Sequence, residues 1–293
     1  MKRGKMQIGI VTKPSVWLYE ENHKDVSDEL LMGWAVEIFK EENGWLEVVT
    51  HYGYTGCLKK EGLLFCTQEE LRSRDDSGQM ICFSRMCTDI MAQPSVHSEI
   101  LCTVSRGSFA KVLSVRENGY RKIRFADGQE GYVPCISYTC RKDSDGYLYT
   151  QVPRNWFFCQ REARCSQKIF RRQLVDSAKR YLGVQYRWGG KSAAGIDCSG
   201  LTFMCYMENG ILIYRDAKIK EPYPVHQIPL EDARAGDLLY FTGHVAMYLG
   251  NRRYIHATAN ENSFGCVINS LCRYDSDYRA DLAEKLLMAG SIF

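Results

Sequence analysis

Two Asn-Gly pairs, each preceded by Glu and followed by an aromatic residue, sit 75 residues apart in this chain, at Glu42-Asn43-Gly44-Trp45 and Glu117-Asn118-Gly119-Tyr120. Asn-Gly between apolar runs is a strong short-range signal for a tight β-hairpin, because both turn residues must take positive φ. The surroundings repeat as well. Ala35–Phe39 and Ala110–Val115 precede the turns, LEVVTHYGYTGCL and RKIRFADGQEGYVP follow them, and Gly56 and Gly131 keep the same 75-residue offset. Each copy therefore predicts a small β-barrel of short strands and turns, over roughly residues 5–68 and 85–145.

The polar segment Glu69–Met80 (EELRSRDDSGQM) reads as a linker, and a second joint is expected at Arg141–Tyr147 (RKDSDGY). Beyond residue 150 the pattern changes. Ile169, Leu174, Ala178 and Leu182 recur near helical spacing, with Gly183 placed to end the helix. Cys198–Asn209 predicts a second helix, with Asp197 as N-cap and Gly210 behind its end. Alternating apolar runs then return at Asp237–Phe241, His244–Leu249, Tyr254–Ala257 and Cys266–Leu271. Helices followed by consecutive antiparallel strands predict an α+β domain.

With 38 basic and 35 acidic residues the net charge is +3, and no run of like charge points to nucleic acid or an anionic membrane. No apolar stretch has the length of a signal core or a membrane span, so a cytosolic location is expected, although a chain trimmed of its leader would read the same. The 13 cysteines are odd in number and scattered through apolar settings, which predicts mostly reduced, buried thiols. Cys82/Cys87 and Cys135/Cys140 have a spacing that zinc allows, but neither pair has the neighbouring Gly or His that would favour a metal site, so none is expected.

One cysteine stands apart. In GIDCSGL, Cys198 falls in the first turn of a helix capped by Asp197, where backbone N–H groups and the helix dipole favour a thiolate. The small residues Gly195 and Gly200 would let a substrate backbone come close. The alternative is a helix-start cysteine packed against its neighbours. Among only six histidines, His244 opens one strand and His256 lies inside the next. A lone mid-strand His is often a core residue, but two on neighbouring strands with an upstream cysteine suit a Cys–His–X triad.

YRWGGKSAAGIDCSGL, GDLLYF, GHVAMYLG and YIHA together resemble the NlpC family of cell-wall cysteine peptidases, over about residues 168–293. The turn spacing and Gly-aromatic punctuation of the two repeats resemble bacterial SH3-like domains. The resemblance implies a papain-like peptidase domain at 150–293, behind SH3-like barrels at 1–75 and 80–147. It implies Cys198 as nucleophile, His244 as base, His256 as the group that orients it, and Tyr186 over the nucleophile as an aid to the oxyanion. Two such barrels before the domain resemble γ-D-glutamyl-L-diamino acid endopeptidases of murein peptide recycling, with no metal or organic cofactor. In that subgroup the first barrel shapes one end of the cleft so that a peptide with a free N-terminal L-Ala is accepted. Tyr54, Asp197 and Ser199 are then implied in substrate contact, with Asp197 as the expected partner of the substrate amine and Asp216 in a retained role. Glu29 or Asp25 is implied as a carboxylate from the first barrel. Departures are Ala217 where relatives often carry Ser, Met32-Gly33-Trp34 in the first barrel's turn, and Cys57 where an aromatic is usual. Two other readings remain at this point: an amidase or acyltransferase on the same fold, and a wall-binding protein with an inactive domain. The order Cys198 before both histidines favours the peptidase.

Overall fold

The computed structural model describes residues 7–76, 78–140 and 166–293; the joint expected at 141–147 lies outside them. The chain divides into two compact units, Met1–Val152 and Pro153–Phe293.

The first unit is built from two copies of one topology. The first copy contains β1 (Gln7–Val11), β2 (Ser15–Tyr19), β3 (Val26–Leu31), β4 (Ala35–Glu42), β5 (Trp45–Thr50), β6 (Thr55–Lys59) and β7 (Leu63–Thr67). The second contains β8 (Met80–Phe83), β9 (Cys87–Met91), β10 (Ile100–Ser105), β11 (Phe109–Val112), β12 (Tyr120–Arg124), β13 (Glu130–Pro134) and β14 (Tyr138–Cys140). The sheet orders are β3-β2-β6-β5-β4-β1-β7 and β10-β9-β13-β12-β11-β8-β14, the same arrangement strand for strand. Both Asn-Gly pairs form the expected turns, with φ of 51° and 81° at Asn43 and Gly44 and 48° and 82° at Asn118 and Gly119.

The repeated Gly56 and Gly131 have a packing cause. They lie where β6 meets β2 and β13 meets β9, pairings recorded at Tyr19–Cys57 and Met91–Tyr132. A Cβ on Gly56 would stand 2.7 Å from Leu18 Cγ and 2.8 Å from the Tyr19 carbonyl, and one on Gly131 would overlap Ile90. Each sheet can curl onto itself only because that position carries no side chain.

The Met32-Gly33-Trp34 turn joins the two copies. Met32 is buried in the core of the second, beside Ile81, Phe83, Ile90, Val104, Ile123 and Val133. The Phe109 amide donates to the Met32 carbonyl at 2.9 Å, and Trp34 Nε1 donates to the Gly107 carbonyl at 2.9 Å. Gly33 has φ +84°, and a Cβ there would lie 2.7 Å from the Phe109 carbonyl oxygen. The first strand of the second copy begins at Met80.

The expected linker is in part a helix, α1 (Gln68–Asp76). Thr67 and Glu70 cap it reciprocally: the Glu70 amide donates to Thr67 Oγ1 at 3.2 Å and the Thr67 amide to Glu70 Oε2 at 2.6 Å. This is a capping box, and Thr67-Gln68-Glu69-Glu70 spells it in the sequence.

In the second unit, α2 (Gln167–Lys179) is capped by Ser166. Its buried stripe is Phe170, Leu174, Val175 and Ala178, continued by Tyr181, while Ile169 and Leu182 face solvent. The helical period expected from the sequence is present, but two of its four marker residues lie off the buried face. Helix α3 (Cys198–Glu208) is buried along its length. A two-stranded ribbon, β15 (Lys191–Ser192) with β16 (Gly195–Ile196), precedes it.

The antiparallel sheet comprises β17 (His226–Ile228), β18 (Leu238–Phe241), β19 (His244–Gly250), β20 (Arg253–Thr258), β21 (Gly265–Ser270) and β22 (Leu286–Ser291), in the order β17-β22-β18-β19-β20-β21. Strands β17 and β22 were not expected, since neither carries clean alternation. A short helix, α4 (Ala280–Ala283), leads into β22. Asp237 is wholly buried between Arg171 (2.8 Å) and the Ser291 hydroxyl (2.7 Å), tying α2 to β22. Among the described residues no helix is long and apolar enough to cross a membrane.

Candidate active site

Asp197 holds extended backbone (φ −96°, ψ 177°) and its Oδ1 accepts the Gly200 amide at 2.5 Å, which fixes Cys198 as the first residue of α3. The same carboxylate ties down the preceding loop, because Oδ2 accepts the Gly189 amide at 2.8 Å. Arg215 completes the knot. Its Nη1 and Nη2 donate to Asp197 Oδ1 (3.2 Å) and Oδ2 (2.9 Å), and Nη1 also donates to Ser199 Oγ at 2.7 Å. The Ser199 hydroxyl donates to Asp197 Oδ1 at 3.3 Å.

A carboxylate has about four lone-pair directions, and these five donors fill them. Asp197 is thus engaged inside the protein by the cap, the Gly189 loop, Ser199 and Arg215. The glycines of the motif are also accounted for internally. A Cβ on Gly200 would overlap the Gly190 carbonyl, and one on Gly195 would lie 2.5 Å from Arg187 Cβ. They admit neighbouring protein rather than a substrate backbone.

The histidines meet as the strand reading suggested. His244 at the head of β19 and His256 inside β20 are joined by a 2.8 Å bond from His244 Nε2 to His256 Nδ1. His256 Nε2 lies 2.8 Å from Asn269 Oδ1, and Asn269 Nδ2 donates to the Asp277 carbonyl at 2.7 Å. Helix α3 packs against β19 and β20. The Val245 amide, one residue beyond His244, is among the backbone groups that hydrogen-bond the Cys198 sulfur. Because Nε2 of His244 is committed to His256, Nδ1 is its remaining ring nitrogen.

Electrostatics depart from the sequence expectation. Burial, and after it the Asp197 charge, pushes the Cys198 thiol up to about 11, against which the Val245 and Ser199 amides and Arg215 pull only in part. Burial lowers His244 to about 3 and His256 to about 4. The helix N-terminus does favour a thiolate, but desolvation of a buried sulfur is the larger effect. Both shifts favour a neutral thiol and a neutral imidazole at rest. Tyr186 is half-buried; burial first, and then the charges of Cys198 and Asp197, raise its hydroxyl, so it stays protonated as a donor.

Asp216 hydrogen-bonds the Tyr214 hydroxyl, which burial and then the Asp216 charge raise to about 12. In the first unit, Glu29 and Asp28 on β3 are both buried, and Asp28 accepts a short hydrogen bond from the Tyr52 hydroxyl. Tyr54 is half-buried and stacks on Tyr52 with ring centroids 6.5 Å apart. Asp25 lies at an exposed turn, where its carboxylate accepts from Asn22 at 2.7 Å. Sequence reasoning missed Arg215, Asn269, Asp28 and Tyr52. Arg215 and Asn269 carry no local signal, since their partners are 18 and 13 residues away. Among the described residues the cysteines are free thiols and no cluster of His, Cys, Asp and Glu is placed to hold a metal ion.

The sequence model of the NlpC/P60 family matches residues 183–274. Dipeptidyl-peptidase 6 of Lysinibacillus sphaericus is 31% identical over 290 residues, spanning 98% of this chain and 99% of that protein. The gamma-D-glutamyl-L-lysine dipeptidyl-peptidase of Bacillus cereus is 24% identical over 279 residues, 90% of this chain and 76% of that protein. The crystal structure of an NlpC/P60 family protein from Bacillus cereus matches with a TM-score of 0.73 and 19% identity, over 96% of this chain and 98% of that one, which is a likeness of fold.

Proposed function

This chain belongs to the NlpC/P60 family of cysteine peptidases, and from that premise we propose that it hydrolyses the bond between γ-D-Glu and the diamino acid in murein peptides that carry a free N-terminal L-Ala. The observation that carries the reading is the pair of bonded imidazoles on β19 and β20, together with a cysteine at the start of the helix that packs against those strands. The names of the relatives, which specify dipeptidyl-peptidase activity and γ-D-glutamyl-L-lysine, support the substrate class.

In this reading the Cys198 S–H proton passes to His244 Nδ1 as sulfur attacks the γ-carbonyl. The neutral resting pair makes transfer and attack concerted in effect, since no thiolate accumulates beforehand. The oxyanion is met by the Cys198 backbone N–H, which at the first helical position has no intrahelical acceptor, and by the Tyr186 hydroxyl. His244 gives its proton to the departing amine, leaving an acyl-enzyme on Cys198, and then activates the water that releases L-Ala-γ-D-Glu. No step calls for a metal or organic cofactor. Asp216 and Ser199 are carried as substrate-reading residues. Asp197 acts as the strut that sets Cys198, Ser199 and the Gly189 loop. A role in peptide recycling follows from the free-amine requirement, because intact wall stems are blocked at that nitrogen.

The test is incubation with L-Ala-γ-D-Glu-L-Lys and with its N-acetylated form, and identification of the products. Release of L-Ala-γ-D-Glu from the free-amine peptide alone is expected. Equal cleavage of both forms would remove the free-amine requirement. Attack at a different amide bond would favour the amidase reading.

A further inference from the structure

The hydrogen-bond chain behind His244 ends on a group whose polarity is fixed. A backbone carbonyl can only accept, so the side-chain nitrogen of Asn269, 2.7 Å from the Asp277 carbonyl, must be its NH2, and the amide oxygen must face His256. That oxygen accepts from His256 Nε2 at 2.8 Å, so Nε2 carries the proton and Nδ1 does not. An unprotonated His256 Nδ1 in turn accepts from His244 Nε2 at 2.8 Å, which leaves His244 Nδ1 without a proton. The His256 ring is completely removed from water and has no solvent partner with which to exchange roles, while His244 is half-buried.

We infer that Asn269 is a positioning residue that sets the tautomer of the base across two imidazoles, holding His244 Nδ1 as an acceptor for the Cys198 proton. The inference rests on the peptidase reading for its consequence, but the tautomers themselves follow from the geometry. If Asn269 cannot accept, His256 Nε2–H becomes a buried donor with no partner, and the chain favours the opposite arrangement, with protons on both Nδ1 atoms. His244 then presents N–H to the thiol and cannot take its proton. After transfer in the normal chain, His244 holds protons on both nitrogens, His256 still accepts from Nε2, and no second proton needs to move. The charged groups acting on the pair are Arg279 and Asp281 at α4, with Lys285 also reaching His244. These belong to other elements and are unaltered by changes at position 269.

Long-range proton–nitrogen spectra of 15N-histidine-labelled full-length protein read the tautomers directly. Nε2–H forms are expected at both His244 and His256 in the wild-type protein, and Nδ1–H forms in Asn269→Leu. Asn269→Leu is expected to lose on the order of 10–100-fold in kcat/KM, with KM little changed, the bias expected from one buried unpaired donor. Asn269→Asp keeps an acceptor toward His256 but sets its other oxygen against the Asp277 carbonyl, so its rate is expected between those of wild type and Asn269→Leu, and the acid limb of its kcat/KM profile moves to higher pH, because a carboxylate favours imidazolium. If Asn269→Leu does not fold, the profile of Asn269→Asp carries the kinetic test alone. Nδ1–H forms in the wild-type protein, or a folded Asn269→Leu with wild-type rate and profile, would overturn the assignment. Should the wild-type protein leave the γ-D-glutamyl peptide uncut, the spectra still decide the tautomers, which separates failure here from failure of the substrate reading.

Discussion

Replacing Asp197 with Asn tests the strut at the head of α3. The substitution keeps an oxygen for the Gly200 amide, so the helix cap survives and its loss of about 1 kcal/mol is avoided. What disappears is the charge opposite Arg215, whose side chain is 2% exposed against 9% for Asp197. Leaving one member of a buried pair uncompensated costs about 3–5 kcal/mol, and the new NH2 would face the Gly189 amide or Arg215, both donors. Local opening of α3 and the Gly189 loop should therefore become easier by roughly that amount, read as lost amide protection by hydrogen-exchange mass spectrometry. Adding Arg215→Met should recover part of it, because the charge that faced Asp197 is gone. The variant has a second readout. The Asp197 charge is among the causes that raise the Cys198 thiol, so Asp197→Asn should move its alkylation profile to lower pH. Protection within about 1 kcal/mol of wild type, strictly additive losses in the double variant, or an unmoved thiol would refute the strut.

Three further outcomes follow from the same geometry. Gly131→Ala places a methyl group against Ile90 where β13 meets β9 and should destabilise the first unit by about 1–3 kcal/mol, seen as a lower melting temperature with the peptidase unit's exchange unchanged. His256, pushed from 6.5 to about 4 by burial, binds no proton in the folded state where the unfolded chain already does. Stability is therefore full above pH 6.5 and is lost as pH falls toward 4, by about 2 kcal/mol at pH 5 from this group, and His244, lowered to about 3, adds a similar loss; urea midpoints should show the combined slope, and His256→Asn should reduce it by about half. Tyr186→Phe should lower kcat by about 10²-fold with little change in KM, and an unchanged kcat would remove the hydroxyl from the oxyanion site.

The repeat was legible because its two devices are local: an Asn-Gly turn needs two adjacent positive φ values, and Gly56 and Gly131 mark the same close approach in each copy. The peptidase unit's central helix and four of its strands were legible from capping and alternation. Helix α1 was hidden by a polar composition, although its capping box stood in the sequence. Strands β17 and β22 were missed because both are short or broken in pattern and exist through pairing with each other and with β18. At the site, Cys198, His244 and His256 could be picked out by residue type and position. The roles of their neighbours could not. Asp197 reads as a cap from its spacing to Gly200, but its occupancy depends on Arg215, and the thiol's protonation depends on a burial that no stretch of GIDCSGL announces.

The central claim is that Cys198 is the nucleophile of a γ-D-glutamyl peptidase, and the direct measurement is hydrolysis of L-Ala-γ-D-Glu-L-Lys by the wild-type protein and by Cys198→Ala, with the acid-quenched wild-type enzyme examined by peptide mass spectrometry. The account expects an L-Ala-γ-D-Glu adduct on the peptide that contains Cys198, and no cleavage by the variant. Cleavage that persists in Cys198→Ala, or an adduct on another of the 13 cysteines, would contradict it.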